Sequence, residues 1–208
     1  MAVAQRTERQ KAVSELKRGL ILDAARKVFE DDGLDGASLR AIAASAGYTP
    51  AALYFHFDSK EAIYAEVLRG SLANLEEAVV RSISRTKSPA DRLRTAAMAF
   101  FRFYAENPRD LDLGFYLFRG GMKPHGLGKE RDAMLNAALK AALRPIYEAA
   151  QGLGAHEEEA KYLMVDTFAH ASGLMLLAHT GRMRMFGVSA LKLMESFVES
   201  RITALTQR

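Results

Sequence analysis

The sequence predicts an all-α protein, on three observations. Apolar residues recur at helical spacing along nearly the whole chain. No stretch shows sustained period-two alternation bounded by hairpin turns. Capping residues and glycine stops divide the periodic stretches into pieces of helical length. With 208 residues, 49% of them hydrophobic, the chain can bury a sizeable core and suits one large or two small domains.

The first helix is expected from Ser14 to Asp31, with Leu16, Ile21, Ala25, Val28 and Phe29 on one face and a stop at Gly33. Ser38 can cap a second helix, in which Leu39, Ile42, Ala43 and Ala46 fall at i, i+3, i+4 and i+7. Gly47 ends it and allows a tight turn. Thr49 then suits an N-cap, and Pro50 suits N1, where its missing N–H costs nothing. Tyr48 and Leu53 have the spacing of a hydrophobic staple. This third helix is expected to cover only Pro50–Phe57, a length that is marginal in water and must be held by caps and neighbours.

Asp58 and Glu61 resemble a capping box for a fourth helix carrying Tyr64, Val67, Leu68, Leu72, Leu75 and Val79, up to the polar stretch 82–89. An aromatic-rich helix follows over Pro89–Glu106 and a short one over Leu111–Phe118. Residues 120–128 form a loop by composition, and three longer helices close the chain near Glu130–Gln151, His156–Thr180 and Ser189–Thr206.

Charge and composition exclude several functions. Cys is absent, which removes disulfides and thiolate metal sites and fits a reducing compartment. The start of the chain has no secretory h-region, and no uncharged apolar stretch is long enough to span a bilayer. A soluble, cytoplasmic protein without a membrane partner is expected. The formal net charge is +4, and residues 1–27 alone hold seven basic residues against three acidic ones. A basic amino-terminal arm could contact phosphates, although a solvated, frayed terminus reads equally well.

No catalytic residue is expected. G-x-S-x-G is absent, and Gly128-Lys129 is followed by Glu130, so the glycine-rich loop fails the phosphate-cradle pattern. The five histidines include no i, i+4 pair flanking a carboxylate, so neither metal nor other cofactor is expected. A metal-responsive role for His170 and His179 is the alternative on that point.

Two helices joined by a glycine-containing turn, the second short and capped, form a helix-turn-helix unit over Ser38–Phe57. With Leu53 inward, Ala51 and Phe55 turn outward and Ala52 and Tyr54 lie on the flanks. Small Ala51 and Ala52 let backbone approach base edges and offer methyls to thymine. Tyr54, His56 and Lys60 can donate to phosphates. Arg40 is the nearby side chain able to contact guanine bidentately. An ordinary αα-corner with aromatics in a small core explains the same residues.

The run Ser38-Leu39-Arg40-Ala41-Ile42-Ala43, with Ala46-Gly47-Tyr48-Thr49 and Leu53-Tyr54-Phe55-His56-Phe57-Asp58-Ser59-Lys60-Glu61-Ala62, resembles the DNA-binding signature of the tetracycline-repressor (TetR/AcrR) family over residues 14–64. The resemblance implies a homodimeric one-component transcription regulator, commonly a repressor released from a double-stranded operator by a small effector. It implies phosphate-contacting positions for Tyr54, His56 and Lys60, and positions near base edges for Arg40, Pro50, Ala51, Ala52 and Phe55. The caps Ser38 and Thr49 complete the candidate DNA-contacting set.

The expected organisation is therefore a helix-turn-helix DNA-binding domain over residues 1–62 and a helical ligand-sensing and dimerisation domain over 63–208. Candidate effector contacts are Phe101, Tyr104, Phe115, Tyr116, Phe118, Met122, Met134, Tyr147, Met164, Phe168, His170 and Met175, since methionines and aromatics suit adaptable apolar pockets. The same residues read as plain core. Candidate dimer contacts are Gly173, Leu176 and Leu177 with Leu191, Met194, Val198, Ile202 and Leu205, whose near-heptad spacing fits a four-helix interface and equally fits intramolecular packing. A helical interaction protein and a transcriptional activator of the same fold are the alternatives.

Overall fold

A computed structural model of the chain describes residues 2–115 and 126–207, with side chains from Thr7 onward. Among the described residues all regular structure is helical. The elements are α1 (Ala2–Gly36), α2 (Leu39–Ala46), α3 (Pro50–Leu53), α4 (Lys60–Ile83), α5 (Pro89–Glu106), α6 (Pro108–Gly114), α7 (Lys129–Gly152), α8 (Glu157–His179), α9 (Arg182–Phe186) and α10 (Ala190–Thr206). The chain divides into two compact units, Met1–Gly70 with Asp112–Leu135, and Ser71–Leu111 with Asn136–Arg208.

In the first unit, Ile21, Ala25 and Phe29 of α1, Ile42 and Ala43 of α2, Leu53 of α3 and Ile63 and Tyr64 of α4 are all buried. Tyr64 stands edge-on to Phe29, with ring centroids 4.9 Å apart, and its hydroxyl donates to the carbonyl of Leu113 at 2.9 Å. The phenol thus fills the core without an unmet hydrogen bond.

In the second unit, α5 and α8 pack against each other and α10 packs on both, while α9 lies on α8. Phe100 is fully buried and meets Phe168 edge-to-face at 6.0 Å.

Several boundaries differ from expectation for identifiable reasons. Helix α1 starts at Ala2 rather than Ser14. Residues 2–18 contain neither Gly nor Pro and are rich in Ala, Gln, Glu, Lys and Arg, all strong helix formers. The break at Gly33 is present, with φ 68° and ψ −179°. Leu16 does not join the core. It is 66% exposed, and Val13 and Leu20 flank it on the surface. Apolar periodicity marks a face without saying how far along it a neighbour extends.

Helix α3 stops at Leu53, four residues sooner than expected, and the chain continues as a turn through His56. The Leu53 carbonyl accepts from the amides of both His56 and Phe57 at 2.9 Å, closing the turn. The cap of α4 is Ser59, whose Oγ accepts from the Ala62 amide at 3.1 Å, and Asp58 is left for another partner. Helix α6 begins early because Pro108 suits a helix start and Asn107 closes α5 through the Phe103 carbonyl. Helix α9 was not foreseen. It is a five-residue segment bracketed by Gly181 and Gly187, both left-handed at φ 74° and 66°.

Candidate nucleic-acid interface

Local chemistry sets the turn between α2 and α3. Ser38 Oγ accepts from the Ala41 amide at 3.1 Å and opens α2. Gly47 closes it in the left-handed region at φ 73°, and the Tyr48 amide returns to the Ala43 carbonyl at 2.9 Å. Thr49 Oγ1 then accepts from the Ala52 amide at 3.3 Å, and Pro50 takes N1. Two capping hydroxyls and one glycine thus define the bend.

The residues divide sharply by burial. Leu53 is fully buried and Phe57 is 4% exposed, whereas Tyr54 is 61% and Phe55 88% exposed. Ser38, Arg40, Thr49, Pro50 and Ala51 are exposed, and Ala52, His56 and Lys60 are half-buried. All the candidate DNA-contacting residues therefore reach the surface, although some of their polar atoms have other partners. Ser38 and Thr49 use their oxygens as caps. The Lys60 ammonium donates to the Ala37 carbonyl at 3.0 Å, bracing the connection between α1 and α2. An ammonium carries three donors, so this bond leaves others for a phosphate.

A network beneath this surface was missed from sequence. Arg18 of α1 donates from Nη1 to the His56 carbonyl at 3.3 Å, and Nη2 lies 3.3 Å from Glu66 of α4. Its guanidinium also stacks over the Phe57 ring at 4.5 Å. Arg69 holds the same Glu66 oxygen at 2.7 Å. Burial pushes the Glu66 carboxyl up, but the hydrogen bond and charge of Arg69, followed by Arg18, outweigh it and leave the group below its ordinary range. Asp58 pairs with Arg131 at 3.1 Å, and Arg131 also donates to the Leu127 carbonyl at 3.3 Å. A signal for Arg18 was available. It precedes Ile21 by three positions and Ala25 by seven, so it is a cation on the core-facing stripe of α1.

The described candidate effector contacts are divided between the two units. Phe115 and Met134 belong to the first unit, and Met134 lines a groove of about 330 Å3 with Arg18, His56 and Arg131. Phe101, Tyr104, Tyr147, Met164, Phe168, His170 and Met175 belong to the second. There Phe101, Tyr104 and Met175 are buried in core packing, and His170 stacks on Phe197 at 4.2 Å. Burial pushes the Tyr104 phenol up. Tyr116, Phe118 and Met122 lie outside the described residues.

A groove of about 670 Å3 runs along another face of α5, floored by Met98, Ala99, Phe103 and Val198 and edged by Arg102 and Glu195. None of the described effector candidates lines it. The carboxylate of Glu199 at its rim is held by Arg94, with Nη2 and Oε2 3.0 Å apart.

The candidate dimer contacts also separate. Met194, Val198 and Ile202 are buried inside the chain's own packing, and Leu177 and Leu205 are half-buried. Gly173, Leu176 and Leu191 are exposed. On α8 the exposed Tyr162, Val165, Ala169, Gly173 and Leu176 follow one another at steps of three or four, a surface stripe with helix-packing periodicity. Leu191 and Leu193 of α10, each 39% exposed, add to the apolar surface of this unit.

The sequence model of "Bacterial regulatory proteins, tetR family" matches residues 21–67, from the buried Ile21 through the turn and α3 into α4. Over this stretch the chain is similar to members of that family. Among relatives, the HTH-type transcriptional activator FasR of Mycolicibacterium smegmatis is 37% identical over 99 residues, covering 48% of this chain and 45% of its own. The transcriptional repressor KstR2 of Mycobacterium tuberculosis is 38% identical over 85 residues, covering 41% and 42%. The chain thus spans less than half the length of these relatives.

The likeness in fold extends further than that in sequence. The solved structure of the transcriptional regulator FadR from Bacillus subtilis, in complex with stearoyl-CoA, superposes with a TM-score of 0.68 at 17% identity. It covers 88% of this chain and 97% of that one. Among the described residues, no helix is long and apolar enough to cross a membrane.

Proposed function

We propose that the protein is a ligand-responsive, one-component transcription regulator, a repressor that binds a palindromic operator as a homodimer and is released by a small, largely apolar effector. Residues 1–62 would form its DNA-binding domain and residues 63–208 its sensing and dimerising domain, working in the cytoplasm without a catalytic role. The observation that carries the reading is the capped turn that leaves Tyr54 and Phe55 exposed while Leu53 anchors α3 from beneath. In this reading Tyr54 and Lys60 meet phosphates, which set register, and Arg40 meets a base edge. Pro50, Ala51 and Ala52 bring no side-chain hydrogen bonds, so apolar contacts and DNA shape supply the rest of the discrimination.

The test is a gel shift with the promoter DNA of the protein's own gene, titrated with salt. A specific complex that weakens as salt rises is expected. Tyr54→Ala weakens binding to operator and non-operator duplexes alike, whereas Arg40→Ala costs about 1–3 kcal/mol on the preferred sequence and relaxes preference at one position. Tyr54 is a cleaner phosphate probe than Lys60, whose removal also frees the Ala37 carbonyl. Equal losses for Arg40→Ala on every sequence, or no specific complex at all, would leave only a helical interaction protein.

Effector binding is proposed for the second unit, with α4, whose residues contribute to both units, transmitting the change. Stearoyl-CoA, the ligand named with the FadR structure, is the first compound to try in a thermal-shift screen, followed by other apolar metabolites. Linkage is reciprocal, so an effector that releases DNA binds the DNA-free protein more tightly. Effector affinity measured by calorimetry should fall when operator saturates the protein, and an unchanged affinity contradicts release by this route. The relationship to FasR, an activator, favours one second reading, in which the same complex raises transcription. A promoter fusion assayed with and without the protein separates the two signs.

A further inference from the structure

We infer that Arg18 is a positioning residue for DNA recognition, holding the segment that follows α3 at the angle from which Tyr54 and Phe55 are presented. The inference rests on the DNA-binding reading above and adds a residue of α1 to it.

The segment needs such a hold. Helix α3 is only four residues long, and the Leu53 carbonyl already serves two amides, those of His56 and Phe57. The carbonyl of His56 lies beyond the helix end, before α4 starts at Lys60, in the position where helix termini leave acceptors without internal donors. Arg18 supplies the donor from across the unit, 38 residues away in sequence. The same guanidinium plane covers the face of Phe57, a contact favoured by the ring's negative face. Its other nitrogen ends on Glu66, which Arg69 keeps in place. One planar, fork-shaped cation thus ties the exit of α3 to α1 on one side and α4 on the other. Lysine, a point charge without a plane, can reproduce the ion pair but not the stack and the carbonyl bond together.

A direct phosphate contact is the competing role for an arginine here. Arg18 points the other way. Its side chain is 31% exposed, its charge is matched by Glu66, and its donors face a carbonyl and a carboxylate of its own unit. The residues it touches, His56 and Phe57, directly follow the exposed Tyr54 and Phe55. A small rotation of the segment therefore becomes a displacement of the side chains that meet DNA, and misplacement on the ångström scale is enough to lose well-formed base contacts.

The experiment compares wild type, Arg18→Ala, Arg18→Lys and Glu66→Gln in the full-length protein. Two duplexes serve as probes, one recovered by the wild type from a random-sequence pool and the other its scrambled counterpart. Arg18→Ala should lose tenfold or more on the selected duplex while keeping its affinity for the scrambled one and its salt slope. Arg18→Lys and Glu66→Gln should fall between, since each preserves part of the clamp. Native-state amide exchange should speed at His56 and Phe57 with Ile42 and Ala43 still protected.

Equal loss on both duplexes with a salt slope reduced by about one would assign Arg18 to a phosphate and overturn the inference. Loss of protection throughout the first unit would make Arg18 a general brace of the fold and overturn it too. If the wild type enriches no sequence, the DNA-binding reading fails by itself, and the exchange rates at His56 and Phe57 still decide whether Arg18 holds the segment.

Discussion

Leu176→Arg is expected to convert the protein to monomers and to weaken operator binding by a factor of a hundred or more. Leu176 is 54% exposed in the single chain, so an arginine there has room and leaves the second unit's core of Phe100, Ala171 and Met175 intact. In the proposed dimer the same position lies mid-interface, on the stripe shared with Tyr162, Val165, Ala169 and Gly173. A two-fold interface brings each introduced charge close to its symmetry mate, and burying unpaired like charges is strongly unfavourable.

The DNA effect follows from linkage between half-sites. Joining two recognition elements makes the second contact intramolecular, which multiplies affinity by 10²–10⁴ without any new interaction. That gain requires elements about 34–36 Å apart, which the dimer must enforce. Sedimentation or light scattering reports the oligomeric state, and a gel shift on full and half operators reports the loss. A variant that stays dimeric and binds normally would show that this stripe is not the interface.

The second large effect is expected from Leu53→Ala. Leu53 is fully buried and is the only buried residue of α3. Truncating a buried leucine costs about 2–5 kcal/mol, through lost transfer energy and the cavity left behind. A four-residue helix has almost no stability of its own to offset this. Its cap on Thr49, worth about 1 kcal/mol, cannot substitute for the anchor.

Operator affinity should therefore drop more than tenfold and the first unit should unfold at lower denaturant. Dimerisation and effector binding, which belong to the second unit in this reading, should persist. Leu53→Met, nearly volume-conserving, should cost under about 1.5 kcal/mol and retain binding. Intact operator binding by Leu53→Ala would show that α3 is seated by something other than this side chain.

The helix-turn-helix was legible because its determinants are local. Ser38, Gly47, Thr49 and Pro50 act through backbone groups within four residues, so their types and spacing carry the geometry. The split of the aromatics was legible for the same reason, since one turn of helix around Leu53 fixes which neighbours point inward. The length of α3 was not, because the chain leaves the helix where Arg18, distant in sequence, supplies a donor to the His56 carbonyl. The α9 segment escaped notice since its two flanking glycines read as loop.

The second unit shows the limit most plainly. Apolar stripes on α8 and α10 were visible, yet the same spacing serves a core or an interface. Burial divides them: Met194, Val198 and Ile202 close the protomer's own core, and Leu176 and Leu191 stay on the surface. Aromatic and methionine content suggested a pocket, but Phe101, Tyr104 and Met175 are spent on packing, and the 670 Å3 groove opens instead beside Met98 and Phe103.

What the sequence by itself determined is the order of the longer helices and the chemistry of the turn between α2 and α3, because caps, glycine stops and periodicity act over a few residues. Only the tertiary structure decided which apolar faces were already covered, which cation braced the turn and where space remained. Those outcomes depend on what each side chain meets from distant parts of the chain, and periodicity records a face without its partner.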